Sequence, residues 1–434
     1  MSMKEDATLR NGSMVPLKKQ TDFVLRPLRL PKRGFPQLCA AEPFRIFFPL
    51  ALVVSLVAVM LWPAISWEWI TFTKVLPKEV HGRLLVQGFV GGFAFGFLGT
   101  AMPNVLASRK FTGLEVVVLL VLYLAMIGCH LSQKLSWGDG FFLAMLVVFG
   151  MGLVWRFAKR KDLPPPGFVL VAGGLLCAMV GTALLLTGQS GTADPAGPQL
   201  GRLLLYEGFL LLPVLGIGAF LFPRYFGMKS SHIFPVQRMP ASGWTGKALV
   251  AAAAGAIVIV SFVMQARGME LAAAWMRFVV CGAYLSVETG WWRKSAKGGI
   301  MPWGLRLGIL FTIGSYLSHG VLHAGLAYFT PMQQVAISHL LYVGGFGLLA
   351  LMVGTRVMLG HAGQSALMQR WLKPVVWMVV LVIITVLTRV TADFMPESMA
   401  SHRIYAAFSW VLGVLGWGVF LLPWVRERNE EEEG

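Results

Sequence analysis

The stretch Ser315–Gly363, SYLSHGVLHAGLAYFTPMQQVAISHLLYVGGFGLLALMVGTRVMLGHAG, holds four of the eight histidines of the chain. Its apolar residues fall into blocks of the length that crosses the ~30 Å hydrocarbon core of a bilayer as a helix. His319 and His323 stand four apart in the first block, so they share one helical face. His339 opens the second block after a loop carrying Pro331, and His361 lies just past its far end in a Gly-rich exit. Ring nitrogens in or near lipid are costly, so each needs a partner or a role.

Working outward, blocks of that kind recur along nearly the whole chain. Hydrophobic residues make up 56%, charged residues 13%, and the mean hydropathy is +0.68. These values exclude an ordinary soluble domain. Twelve spans are predicted, at about 44–63, 83–103, 112–131, 138–157, 167–187, 202–223, 247–266, 270–290, 303–323, 337–357, 372–392 and 403–425. The fold class expected is an all-α polytopic membrane bundle over 44–425. A basic, flexible tail is expected at 1–43 and an acidic tail at 426–434. No cleaved signal peptide is expected, because the apolar runs start only after the basic tail.

The net charge of +17 would suit nucleic acid if it were spread evenly, but it is not. With both tails and the even-numbered loops on one side, that side holds 27 Lys/Arg and the other 7, while Arg277, Arg306 and Arg389 lie within spans. The positive-inside rule then puts both termini in the cytoplasm, with no nucleic-acid partner. The basic tail is expected to lie near anionic lipid. Cys39, Cys129, Cys177 and Cys281 form no CxxC or CxxCH, so neither a zinc clip nor covalent haem is indicated.

An internal repeat links spans 2 and 6. Gly82-Arg83-Leu84-Leu85 leads to Gly88-Phe89, and Gly201-Arg202-Leu203-Leu204 leads to Gly208-Phe209. From there the offset is 120 residues without a gap, matching Gly96 to Gly216 and Pro103 to Pro223. Span 10 comes about as far again along the chain with a similar Gly-rich pattern. Three units of four helices follow from this.

That topology puts His81, His130, His319, His323, His339 and His402 at or near the outer ends of their spans, with Arg202, Tyr206, Glu207, Arg277 and Arg389 in the same half. An outer polar site is expected. His319 and His323 have metal-ligand spacing, though a solvated pair at a helix end would look the same. His81 and His339 suit the two axial positions of a haem iron, or simple helix-end hydrogen bonding. Cys129-His130 offers copper donors, but cysteine in a span is more often a small apolar residue. Glu207 can pair with Arg202 or Arg277, and these arginines can equally hold haem propionates. His361 completes the metal candidates, although with Arg356 it also complements a helix C-terminal dipole.

Four stretches resemble the NnrS family of bacterial inner-membrane proteins. They are Pro43–Phe48; His81 through Gly88-Phe89 and Gly96–Asn104; Leu322-His323-Ala324-Gly325; and His339–Gly344 with Thr355-Arg356 and Leu359–Gly363. Where the family reads His-Ala-His-Glu after span 1, this chain has His81, Gly82, Arg83 and Leu84, so one histidine and one carboxylate are missing. The resemblance implies haem of the non-covalent b type, copper as a second metal, and a part in nitric oxide metabolism or tolerance with a redox partner. The haem candidates are then His81, His339 and His323, with Arg202 and Arg277; the metal candidates are His319, His323, His130 and His361, of which His319 and His130 match no family position and rest on spacing alone. The architecture is also similar to the catalytic subunit of haem–copper oxidases, in which spans 2 and 10 carry the low-spin haem ligands. Span 7 has no histidine, so a binuclear centre of that type is not expected. Two other readings fit the spans and the repeat: a secondary transporter, and a membrane factor for metalloenzyme assembly.

Overall fold

The computed structural model describes residues 34–188, 194, 196–325 and 330–427. The basic tail as far as residue 33 and the acidic run Glu430–Glu433 lie outside the described residues. The last part of the expected tail forms a short helix, Phe35–Ala41.

Twelve helices are long and apolar enough to cross a membrane, and no strand occurs among the described residues. In chain order the spans are Phe44–Ser66, Pro77–Val105, Gly113–Leu131, Leu135–Ala158, Pro166–Gly188, Ala196–Tyr225, Ser242–Ala266, Glu270–Thr289, Ile300–His323, Pro331–His361, Lys373–Ala392 and Pro396–Val425. The chain is therefore a multi-pass membrane protein. Successive spans pack side by side, and span 12 closes the bundle against span 1. The described chain ends meet on one face, where Arg45 bonds the carbonyls of Val425 and Glu427. This is called the terminal face here, and its opposite the distal face.

Spans 2, 6 and 10 are the most enclosed, with 72%, 72% and 61% of their apolar windows buried. Each is α-helical at both ends and π-helical in its distal part, over Leu84–Val90, Leu204–Gly208 and Leu340–Gly347. A π segment widens the turn and is found most often at functional sites. The shared interruption extends the repeat to span 10, where sequence similarity is faint. Close approach is set by glycine. A Cβ on Gly88, Gly92 or Gly96 would stand 2.5, 2.7 and 2.9 Å from Val54, Ala51 and Phe48 of span 1. That row of small residues lets two helices meet without a hydrophobic drive in lipid. Gly354 of span 10 leaves room for Phe93 of span 2 in the same way, at 2.7 Å.

Four helix starts come six or seven residues before the sequence reading: spans 2, 6, 10 and 12 begin at Pro77, Ala196, Pro331 and Pro396. At spans 2 and 10 a proline takes the first helical position, where it needs no N–H partner. Span 10 adds a capping box, Thr330 with Gln333. His81 and His339 therefore lie inside their helices and do not open them.

Candidate functional site

His81 holds its Nδ1 2.9 Å from the Ala58 carbonyl of span 1, with its ring edge-on to Trp62 at 5.5 Å. His339 holds its Nδ1 2.8 Å from the Val335 carbonyl one turn back, beside Tyr342. A carbonyl only accepts, so both rings carry their proton on Nδ1 and present a lone pair at Nε2. This is the tautomer and the anchoring that a metal-ligating imidazole uses. Among the described residues neither Nε2 has a hydrogen-bond partner. The two rings lie close enough to interact electrostatically. Their depths differ slightly: His339 directly precedes its π segment, and His81 comes three residues before its own.

Arg389 of span 11 acts electrostatically on both rings. Its Nη1 lies 2.9 Å from Asp393, whose other oxygen is 2.5 Å from Arg403 of span 12. Asp393 is thus a buried carboxylate shared by two guanidiniums. His402 repeats the anchoring pattern, with Nδ1 2.9 Å from the Ser398 carbonyl.

A second cluster lies on the π segment of span 6. Glu207 Oε2 takes Arg277 Nη1 at 3.1 Å and the Tyr316 hydroxyl at 3.2 Å. The guanidinium also bonds the Gln265 side chain and lies over the faces of Phe262 and Tyr316, 5.3 Å from each. Of the two expected partners, Glu207 takes Arg277. Arg202 is exposed and points elsewhere. The sequence spacing explains why. Arg83 precedes Gly88 by five residues and Arg202 precedes Gly208 by six, and one residue turns a side chain about 100° around a helix.

A third network was not foreseen. Arg83 Nε lies 3.0 Å from both oxygens of Asp139, and its Nη1 reaches Glu79 at 2.8 Å. Gln87 donates to Asp139 at 2.6 Å, and His130 Nε2 meets the Gln87 oxygen at 2.7 Å. Asp139, Gln87 and His130 are fully buried. The only signal in the sequence was Asp139, a carboxylate early in an apolar run. Among the described residues His130 Nδ1 has no partner. Its ring packs so close to Gly138 that a Cβ there would stand 2.3 Å from Cε1.

His319 and His323 stack at 6.2 Å between ring centres, but they turn to different partners. His319 Nε2 lies 3.1 Å from Ser338 Oγ, and His323 Nδ1 lies 3.1 Å from Glu270. His361 is at the terminal face, 3.2 Å from Glu42 and ring-to-ring with Phe44. It stands about 33 Å along the helix from His339 at 1.5 Å per residue, too far to share one ion. Burial alone would raise the Glu42 carboxyl, but His361 and Arg45 hold it down at about 2. His232 accepts from the Gly167 N–H at Nδ1 and faces Glu288 with Nε2, a packing role. Among the described residues no three His, Cys, Asp or Glu gather as a metal site.

A family model described as NnrS protein matches residues 39–428. No curated protein matches the chain.

Proposed function

Because the chain belongs to the NnrS family over nearly its whole length, we propose that it is an inner-membrane haem protein that takes part in nitric oxide handling. One observation carries this reading. His81 and His339, on the two enclosed spans 2 and 10, each anchor Nδ1 on a backbone carbonyl and keep Nε2 as a neutral donor. Two such nitrogens suit a non-covalent haem, which needs no CxxCH.

In this proposal His81 and His339 hold the iron, and the carbonyls of Ala58 and Val335 fix the ring planes. His323 is the next candidate, since its Nδ1 is anchored on Glu270. Arg277 is committed to Glu207 and Arg202 is exposed, whereas Arg389, which shares Asp393 with Arg403, is the arginine that acts on both rings and is therefore the better placed to face propionates. When bound, a haem would supply a one-electron couple and an iron with affinity for a diatomic such as nitric oxide. The residues around it keep both imidazoles neutral and oriented. Copper fits less well. His130 is committed to Gln87 and His361 to Glu42, and no three donors gather among the described residues, so no step is assigned to copper.

The 27-to-7 division of Lys/Arg supports a cytoplasmic terminal face and an outward distal face. The haem pair would then lie toward the outside, where a redox partner can dock. The test is an absorption spectrum of the purified full chain with an iron and copper assay. A Soret band that turns from low-spin to high-spin in His81→Ala or His339→Ala, and not in His232→Ala, supports the reading. A metal-free, colourless protein reconstituted with haem overturns it.

A further inference from the structure

On the distal face, the ends of spans 2, 4, 5 and 6 border an open cleft of about 590 Å³. Its polar lining includes Glu79, Arg83, Lys134 and Arg202, and its apolar walls include Leu185 and Trp137. Arg83 forms the floor, already bonded to Glu79 and to the buried Asp139. Lys134 and Arg202 are different: among the described residues neither has a carboxylate partner. With Asp139 included, three cations face two carboxylates around this cleft.

We propose that this cleft binds a phosphate-bearing anion between Arg202 and Lys134. Lys134 and Arg202 are both exposed to solvent at this cleft, and their excess positive charge concentrates anions there. The volume lies in the ~300–1,000 Å³ range of small-molecule sites and exceeds what one bare oxoanion fills. On the lining of one cleft, a guanidinium offers a fork for two oxygens and an ammonium a point charge for a third. Trp137, 69% exposed at the rim, belongs to the interfacial level of a membrane, where lipid headgroups lie. The same phosphate chemistry can arrive as an anionic lipid headgroup or as a soluble phosphate monoester. The inference is independent of the haem reading, because neither Arg202 nor Lys134 serves the His81 and His339 pair.

The experiment uses the purified full chain in a neutral detergent. Calorimetry with glycerol 3-phosphate tests the soluble source. Native mass spectrometry with phosphatidylglycerol, against phosphatidylcholine, tests the lipid source. At least one probe is expected to bind, and the double variant Arg202→Gln/Lys134→Gln is expected to weaken it tenfold or more. Arg202→Lys should stay within about threefold, since it keeps the charge. Lys78→Gln, an exposed lysine outside the cleft, should leave binding unchanged. Phosphatidylglycerol retention alone identifies lipid, and monoester binding alone identifies a soluble ligand. The proposal is overturned if neither probe binds, if the double variant binds as wild type, or if Lys78→Gln causes the same loss. Should the double variant unfold, the single Arg202→Gln is read in its place, with a threefold loss as the threshold.

Discussion

Arg277 and Glu207, on spans 8 and 6, form an ion pair at 3.1 Å in the distal half of the membrane bundle, with Tyr316 on the same carboxylate oxygen. Each charge is there because the other is. Removing one leaves an uncompensated charge away from bulk water, which costs about 3–5 kcal/mol. Glu207→Gln or Arg277→Met should each lower thermal stability in detergent by that order. The double variant should lose clearly less than the sum. Additive losses in the double-mutant cycle would mean that the pair does not act as one unit.

The second prediction compares two glycines of one helix. A Cβ on Gly138 would stand only 2.3 Å from Cε1 of the buried His130 ring, whereas a Cβ on Gly140 meets nothing within 4 Å. Gly138→Ala should destabilise by about 1–3 kcal/mol through overpacking. Gly140→Ala should be neutral or slightly stabilising, since alanine favours a helix. Equal melting temperatures for the two variants would place His130 elsewhere.

A third concerns pH. Glu42 lies outside the spans and is held at about 2 by His361 and Arg45, against an ordinary 4.5. A carboxyl whose folded value is depressed contributes stability that is fully present above its unfolded value and is lost as pH falls through the folded one. Between about pH 4.5 and 2 the chain should therefore lose about 1–3 kcal/mol from this contact. Glu42→Gln should flatten that part of the stability profile. A profile identical to wild type would rule the contact out as its source.

The fourth tests sidedness. A cysteine replacing Ala196 at the start of span 6 should react with an impermeant thiol reagent added to whole cells. One replacing Lys159, after span 4, should react only once the membrane is opened. The basis is the Lys/Arg division between the two faces. The reverse labelling would turn the distal face to the cytoplasm.

The sequence by itself determined the twelve spans and the repeat. In lipid every backbone group must bond within its own helix, and every lipid-facing side chain must be apolar, so a span is written as one continuous block. Gly88-Phe89 and Gly208-Phe209 were visible as a pair because the close approach of spans 2 and 6 to their neighbours admits only small residues there. Helix starts were less legible: Pro77 and Pro331 precede the apolar blocks, and a proline followed by a polar turn reads as loop. The tertiary structure alone decided which charges meet. Glu207 had two candidate arginines, one five residues away and one on span 8, and the choice of Arg277 depends on helix rotation, which one residue and a π segment reset. Asp139 and Arg83 lie on spans 4 and 2, and nothing local to either predicts a contact 56 residues apart. Periodicity follows from solvent along one chain segment, whereas pairing depends on how separate segments turn against each other, and that is set only when they pack.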